Sequence, residues 1–381
     1  FKPPPRVAEF VDQALAASVR RCRGEETPLP SPWTSVNAHF FGGFWPGLYT
    51  ITSGTGIGKT QAALQCATFA AEHIRTERDK TGEADDPNGT GEVLYVALEL
   101  GAIDIGARTI GLYSERLFAD DRSRRVAVPW RDVFYGRAAE DTLSQLRADY
   151  EHSLARLPLR VACVSPRAGA AGVLSVRKPS DLIEIARRMK PRMLILDYAQ
   201  LMQGEDERAD VREAIKDLAV IGREIARGSH GGPPAAVLFI SSTARSNYEI
   251  VAGTDKAPAL GTGDAGRLVG LGKEAGEMEY CADVAIVLAS DPNGGNDGED
   301  RPTWLAVAKG RGVDVGWIPL RWNGRRFRDA TEDEHRDAFK RADEAEKRRT
   351  ASKSRGESPQ RNNDAPASNG AKRPQSFGDA A

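Results

Sequence analysis

One stretch constrains the fold of this chain more than any other: Leu48-Tyr49-Thr50-Ile51-Thr52-Ser53-Gly54-Thr55-Gly56-Ile57-Gly58-Lys59-Thr60-Gln61. An apolar strand runs into a glycine-rich loop, and Gly-Lys-Thr opens a helix. Glycines let successive backbone N–H groups turn inward around phosphate oxygens, and the helix N-terminus adds a favourable dipole. Lys59 can reach the β- and γ-phosphates, and the Thr60 hydroxyl can ligate Mg²⁺. The candidate nucleotide-binding set is therefore Ser53, Gly54, Thr55, Gly56, Ile57, Gly58, Lys59, Thr60 and Gln61, with ATP and Mg²⁺ as the expected cofactors. The strict pattern has glycine six positions ahead of the lysine, where this chain has Ser53.

Around that loop, short apolar runs alternate with helical stretches. The strand candidates are Leu48–Thr52, Val93–Ala97, Leu159–Val164, Met193–Asp197, Ala236–Ser241, Val284–Ala289, Thr303–Ala308 and Trp317–Trp322. The helix candidates are Lys59–Arg75, Ile103–Leu117, Glu140–Ala155, Pro179–Met189 and Val211–Arg227. Near-continuous apolar strands between helices indicate an α/β fold with a mostly parallel sheet covered on both faces. The last two strands, joined by a short turn, read as an antiparallel hairpin.

Hydrolysis of a bound nucleotide needs two further acidic groups. Met193-Leu194-Ile195-Leu196-Asp197 runs four apolar residues into a carboxylate, which places Asp197 at a strand end where a metal-holding aspartate belongs. Val93-Leu94-Tyr95-Val96-Ala97-Leu98-Glu99 does the same for Glu99, a candidate to orient or deprotonate the attacking water. Each carboxylate has a plainer reading: Asp197 as a strand-end cap, Glu99 as a cap on the helix near Ile103.

Composition sets the limits. The 381 residues allow two domains, or one large domain with tails, at roughly 150 residues per domain. No apolar run approaches the ~18–20 residues of a membrane span. Cys22, Cys66, Cys163 and Cys281 are far apart without a Cys-x-x-Cys pair, which argues against a disulfide framework or structural zinc and for a cytoplasmic location. The 53 Lys and Arg against 54 Asp and Glu leave a charge of -1, so any nucleic-acid contact must come from local cations. The chain opens on Phe1 with no signal-peptide pattern, which is compatible with a processed or truncated product.

At the N-terminus, Val7, Phe10, Val11, Ala14, Leu15, Val19 and Cys22 recur at helical spacing with charged residues opposite. That stripe must pack on its own domain or on a neighbour. From about Thr331 the chain loses apolar residues, first mixed in charge and compatible with a helix over Glu332–Arg349, then rich in Ser, Asn, Pro and Gly. Such a composition predicts a disordered tail. The expected divisions are a linker helix over 1–26, an ATPase domain over 27–330 and a charged tail over 331–381.

The set of motifs resembles the RecA-like ATPase domain of DnaB-type replicative hexameric helicases. The likeness runs from about Thr27 to Asp329. Phe41-Gly42-Gly43-Phe44-Trp45-Pro46-Gly47-Leu48 is similar to the Gly-Gly-Leu-x-Pro-Gly segment ahead of that family's phosphate loop, which also often lacks the first glycine. Ala97-Leu98-Glu99-Leu100 is similar to Ser-Leu-Glu-Met, whose glutamate is catalytic. Leu196-Asp197-Tyr198-Ala199-Gln200-Leu201-Met202 resembles Ile-Asp-Tyr-Leu-Gln-Leu-Met, the most family-specific match. Glu274–Asp283 resembles Glu-Ser-Gly-x-Ile-Glu-Gln-Asp-Ala-Asp, and Ala308-Lys309-Gly310-Arg311-Gly312 resembles Ala-Lys-Gln-Arg-Asn-Gly.

The resemblance implies a RecA-like P-loop NTPase that forms a homo-hexamer on single-stranded DNA and serves DNA replication, with a loader or primase as possible partners. Lys309 and Arg311, at a tip between late strands, would then complete a neighbour's site as an arginine finger does. The Val7–Cys22 helix would be the linker helix that grips a neighbour. Candidate DNA-contacting cations are Arg245, Arg267 and Lys273, around a long glycine-rich loop over Ser246–Lys273. The family's primase-recruiting domain has no counterpart in these residues, which suggests a phage, plasmid or otherwise divergent member, or a truncated chain. One departure stands out: the γ-phosphate-sensing glutamine of the family falls on Ser242. It keeps open a nucleotide-dependent assembly or regulatory ATPase without unwinding activity. A RecA/RadA-like recombination or repair ATPase is the other alternative.

Overall fold

The computed structural model describes residues 6–84, 86, 88–120, 127–153, 155–163, 176–206, 210–244, 247, 249–250, 260–272, 276–291 and 300–356. In chain order the elements are α1 (Val7–Cys22), α2 (Thr34–His39), β1 (Gly47–Ser53), α3 (Lys59–Thr81), β2 (Val93–Ala97), α4 (Ala102–Asp120), α5 (Trp130–Phe134) and α6 (Glu140–Ser153). There follow β3 (Leu159–Cys163), α7 (Pro179–Met189), β4 (Met193–Asp197), α8 (Val211–Arg227), β5 (Ala236–Ser242), α9 (Gly276–Cys281), β6 (Val284–Ser290), β7 (Arg301–Gly310), β8 (Gly316–Trp322), β9 (Phe327–Asp329) and α10 (Glu332–Gly356).

The nine strands form one sheet in the order β3-β2-β4-β5-β1-β6-β7-β8-β9. From β3 to β6 neighbours run parallel. From β6 to β9 they run antiparallel. The apolar strands alternate side by side into two cores. Val93, Tyr95, Ala97, Met193, Ile195, Leu238 and Ile240 join the cluster under α3. Leu94, Val96, Leu194, Leu196, Val237 and Phe239 join the one that includes Leu182 and Ile185 of α7 and Ile215 and Leu218 of α8. Strands buried on both faces read as unbroken apolar runs, as a parallel sheet requires.

The helix after the phosphate loop runs past the expected Arg75 to Thr81 and stops at Gly82, whose φ is 70°. Its apolar stripe ends at Ile74, but Arg78 is buried beside Glu92 at 3.7 Å and donates to the Thr90 carbonyl at 2.9 Å. A charged residue held by tertiary partners thus extends the helix beyond its periodicity. Strand β9 is absent from the expected set because it is short and two of its three residues are charged. The Gln65 side chain completes it, accepting from Phe327 N at 2.7 Å and donating to Phe327 O at 2.9 Å.

At the termini, α1 buries none of its residues, and Val7, Phe10 and Leu15 stand exposed. Its C-terminal end meets the body through Arg21, 4.9 Å from the Trp45 ring. Helix α10 covers the first half of the charged segment and rests on the domain. Ala338 and Ala342 are buried, the Phe339 ring lies 5.1 Å from Trp304, and Arg328 pairs with both Asp300 and Glu334. Residues 357–381 of the expected tail lie outside the described residues.

Candidate nucleotide site

The site is assembled where parallel strands end. In the register Ala97 lies opposite Asp197 and Ser53 opposite Ser242, so Glu99, Asp197, Ser242 and the loop after Ser53 share one edge of the sheet. Ligands of open α/β sheets bind outside the carboxyl ends of the strands. Leu98 N donates to the Asp197 carbonyl at 2.7 Å, which ties the two acidic strand ends together.

Gly56 and Gly58 have φ of 80° and 110°, values that side chains rarely adopt. A Cβ on Gly58 would also stand 3.0 Å from the Phe327 ring and 3.1 Å from Trp322. The β8–β9 turn therefore closes over the loop, and glycine is required twice at that position. Lys59 Nζ donates to the carbonyls of Ser53 and Gly54, each at 3.0 Å, so the ammonium sits inside the loop it would serve. Burial lowers the Lys59 pKa, while Asp197 and Glu99 favour its charged form.

Asp197 is buried. Its Oδ2 accepts from the Tyr95 hydroxyl at 2.7 Å, and its Oδ1 is a buried atom with no hydrogen-bond partner. Burial raises its pKa; Tyr95, the Thr60 hydroxyl, Lys59 and Arg108 pull in the opposite direction. An orphaned carboxylate oxygen beside a threonine hydroxyl at the phosphate loop is the donor set Mg²⁺ uses when phosphates and water fill its remaining positions. Among the described residues no group of three or more His, Cys, Asp or Glu could hold a metal, so the protein ligands at such a site would be Thr60 and Asp197. Glu99 is exposed two residues beyond β2, free of the packing that fixes Asp197.

Lys309 and Arg311 lie elsewhere. Gly310 pairs with Val284, and Val284 with Tyr49, near the start of β1, whereas the phosphate loop leaves β1 at its other end. Strands rise about 3.3 Å per residue, so Tyr49 to Ser53 alone spans roughly 13 Å. Both cations therefore lie at the opposite end of β1 from the chain's own phosphate loop. Arg311 Nη1 lies 2.8 Å from Asp283 Oδ1, and Asp283 Oδ2 accepts from Leu48 N at 3.0 Å. Lys309 Nζ donates to the carbonyls of Glu279 and Tyr280 at the end of α9. Burial lowers its pKa, and the nearby Arg311 lowers it further.

Of the three candidate DNA cations, Arg245 and Lys273 lie outside the described residues. Arg267 sits in a short 3₁₀ turn, Ala265–Leu268, where it donates to the Thr262 carbonyl at 3.1 Å and lies 5.9 Å from the Trp317 ring. Ser242 is held by Gln200: its N–H donates to Gln200 Oε1 at 3.2 Å, and Gln200 Nε2 donates to Ser241 Oγ at 2.7 Å.

Four contributors escaped the sequence reading. Tyr95 reads there as one more apolar strand residue. Arg108 reads only as part of the helix candidate Ile103–Leu117. Asp283 belongs to a motif whose individual residues had no assigned task, and Trp322 lies in a strand read only for its place in the sheet. The isolated Arg108 in Gly106-Ala107-Arg108, nine positions after Glu99, was the one signal available.

No family model matches the sequence, and no curated protein does. Solved structures do match. One of them, described as an ATPase domain, superimposes with a TM-score of 0.60 at 18% identity, over 84% of this chain and 99% of that one. A DnaB-like replicative helicase, whose structure is described together with its interactions with primase, gives 0.59 at 18% identity, over 85% of this chain and 70% of that one. The chain thus has the RecA-like fold of DnaB-type ATPase domains.

Proposed function

We propose that this chain is a Mg²⁺-dependent ATPase that drives a ring-forming motor on single-stranded DNA, a DnaB-like helicase of DNA replication. The observation that carries the ATPase reading is the meeting of Lys59, the orphaned Asp197 oxygen and Glu99 at one sheet edge beside a glycine loop. Residues Ser53 to Gln61 would cradle the phosphates through backbone N–H groups. Bound Mg²⁺, held by Thr60 and Asp197, would supply charge neutralisation on the β- and γ-phosphates. Glu99 would orient the attacking water and take its proton, while Lys59 stabilises charge on the transferring phosphoryl group.

The placement of Lys309 and Arg311 on the far edge supports a ring. Cations that cannot reach their own phosphates are useful to hydrolysis only in a neighbour's site, which a homo-hexamer would supply. The exposed stripe of α1 fits the same arrangement, as a linker helix on an adjacent subunit. Single-stranded DNA would run through the centre, with Arg245, Arg267 and Lys273 as the nearest cations by sequence, and a loader or primase would be further partners.

The decisive measurement is ATP hydrolysis and strand displacement on a forked duplex, alongside native mass with and without an ATP analogue. Hydrolysis stimulated by single-stranded DNA, with a multimeric ring and strand separation, is the expected outcome. Hydrolysis unaffected by DNA and without displacement would sink the helicase reading and leave a nucleotide-dependent assembly ATPase. Ser242 favours that second reading, because its side chain is too short to sense a γ-phosphate as a glutamine does.

A further inference from the structure

Gly58 is the point where the phosphate loop becomes helix. It caps α3, its carbonyl accepts from Ala62 N at 2.9 Å, and its φ is 110°. A Cβ on Gly56, the other left-handed glycine of the loop, would have nothing within 4 Å. A Cβ on Gly58 would meet the Phe327 ring at 3.0 Å and the Trp322 ring at 3.1 Å. Gly56 is thus open, whereas Gly58 is walled by two rings whose centroids lie 4.5 Å apart.

That wall is itself locked by three other parts of the chain. Gln65 of α3 accepts from Phe327 N at 2.7 Å and donates to Phe327 O at 2.9 Å. Trp33 Nε1 donates to the same carbonyl at 3.2 Å, and the Trp33 ring meets Phe327 edge-on with centroids 6.2 Å apart. The buried Glu115 carboxylate of α4 pairs with Arg325 Nη1 and accepts from Asn323 Nδ2 at 3.4 Å. Asn323 Oδ1 in turn accepts from Arg325 N at 3.0 Å and from Arg326 N at 2.8 Å, which shapes the turn between β8 and β9. A buried carboxylate left without its partner is costly, so Glu115 resists release of that turn.

We propose that Phe327 and Trp322 are positioning residues for phosphate binding: the β8–β9 turn, locked to α3 and α4, holds Gly58 in its left-handed conformation before a nucleotide arrives. Glycine has more backbone freedom than any other residue, and a free glycine loop must be ordered when a phosphate binds. That ordering is subtracted from affinity, and a wall that removes the freedom beforehand reduces the loss. Lys59 follows Gly58, and its ammonium bridges the carbonyls of Ser53 and Gly54. The rings and the lysine therefore fix the helical end and the start of the same loop. Because the rings act through loop backbone, they set how tightly a polyphosphate is held and not how fast its terminal bond breaks. The proposal rests on the ATPase reading and deepens it.

The test compares full-length Phe327→Leu, Trp322→Leu and Glu115→Gln for the KM and kcat of ATP hydrolysis, and for inhibition by inorganic tripolyphosphate, which has no base or sugar. Phe327→Leu should raise the ATP KM and the tripolyphosphate inhibition constant by one common factor, about threefold to tenfold, the size of ordering one or two groups on binding. Its kcat should stay within about twofold. Trp322→Leu should give a smaller rise, and Glu115→Gln, which keeps an acceptor but removes the charge, a smaller one again. A double-mutant cycle on ATP binding separates this role from a merely structural one. Gly58→Ala should lose less affinity in Phe327→Leu than in the unaltered chain, because the ring it would strike is gone, whereas Gly56→Ala should lose the same in both. A rise confined to ATP would mean that the rings meet the base instead, and it overturns the proposal. So do unchanged constants in Phe327→Leu and Trp322→Leu, a fall in kcat at constant KM, equal losses from Gly58→Ala in both backgrounds, or unaltered protein insensitive to tripolyphosphate. If Phe327→Leu does not fold, Trp322→Leu carries both the kinetics and the cycle. Unaltered protein that hydrolyses no ATP overturns the ATPase reading and this proposal together, whereas an active protein whose constants ignore these substitutions overturns the proposal alone.

Discussion

The two edges of the parallel sheet carry charge in opposite ways. At the phosphate-loop edge, the acidic strand ends lie next to Lys59, and one buried oxygen of Asp197 has no hydrogen-bond partner. At the other edge, Arg311 and Lys309 are held by Asp283 and by the carbonyls at the end of α9. The first edge has the groups of a hydrolytic centre, Lys59 among them, but no cation that reaches in from a neighbour. The second has two cations and no phosphate loop of its own. The contrast fits the proposed ring, in which stacking one subunit's far edge on the next subunit's loop would bring the two sets of groups into one site.

The largest expected effect breaks the first edge alone. Lys59→Ala should remove the ammonium that spans the loop and reduce ATP hydrolysis by at least about 10²–10³-fold, the range for loss of a preorganised group facing developing charge. Phosphate release measures it. Asp197→Asn should give a loss of similar size, and its Mg²⁺ requirement should shift to higher concentration, because the orphaned oxygen no longer bears charge. Either variant with near-normal hydrolysis would remove the loop from the chemistry.

The second effect tests whether the far edge works in a neighbour. Arg311→Ala should lower assembled activity by about 10³-fold, as loss of an arginine finger does, while nucleotide affinity of dilute chains stays unchanged. Excess mutant mixed with unaltered protein should poison it, since each ring would contain defective interfaces. Activity that falls only in proportion to dilution would mean that Arg311 does not act across an interface. Asp283→Asn gives a finer version. It keeps an acceptor for Leu48 N but removes the charge that holds Arg311, and a partly exposed pair is worth about 1 kcal/mol at most. Assembled hydrolysis should therefore fall no more than about fivefold, and a loss equal to that of Arg311→Ala would assign Asp283 a larger task.

The same contrast explains what the sequence made legible. The phosphate loop, Asp197 and Glu99 are each announced by an apolar strand that ends in a polar residue, and the register Ala97 to Asp197 places them side by side. The long strands of the sheet and α7 and α8 were equally visible, because burial on both faces or along one stripe leaves a clear period. The residues that went unseen depend on contacts far apart in the chain. Tyr95 matters through Asp197, 102 positions away, and β9 exists because Gln65 pairs with Phe327 across 262 positions. Short α2, α5 and α9 have too few turns to show a period. The extent of α10 was hidden for a related reason: its apolar contacts are small alanines and one phenylalanine, and charge pairs hold its start.

That start supplies the smallest effect and the far limit of the comparison. Asp197 and Glu334 are carboxylates shifted in opposite directions. Burial raises the first, whereas the Arg328 guanidinium lowers the Glu334 pKa from 4.5 to about 2. In the unfolded chain Glu334 would titrate near its ordinary value, so the folded state favours the charged form above that pH. Its stabilisation is present in full above about pH 4.5 and is lost as pH falls through about 2. The pair is partly exposed at the surface, and solvent screening reduces the contribution to about 1 kcal/mol. Glu334→Gln should lower Tm by a few degrees or less at neutral pH and leave it unchanged relative to the parent near pH 2, measured by thermal melts across the acid range. ATP hydrolysis at neutral pH should be unaffected, because Glu334 anchors α10 to Arg328 and Arg321 on the antiparallel side of the sheet and has no contact with the phosphate-loop edge. A Tm difference that persists unchanged to pH 2 would show that the Arg328 pair is not what holds the start of α10.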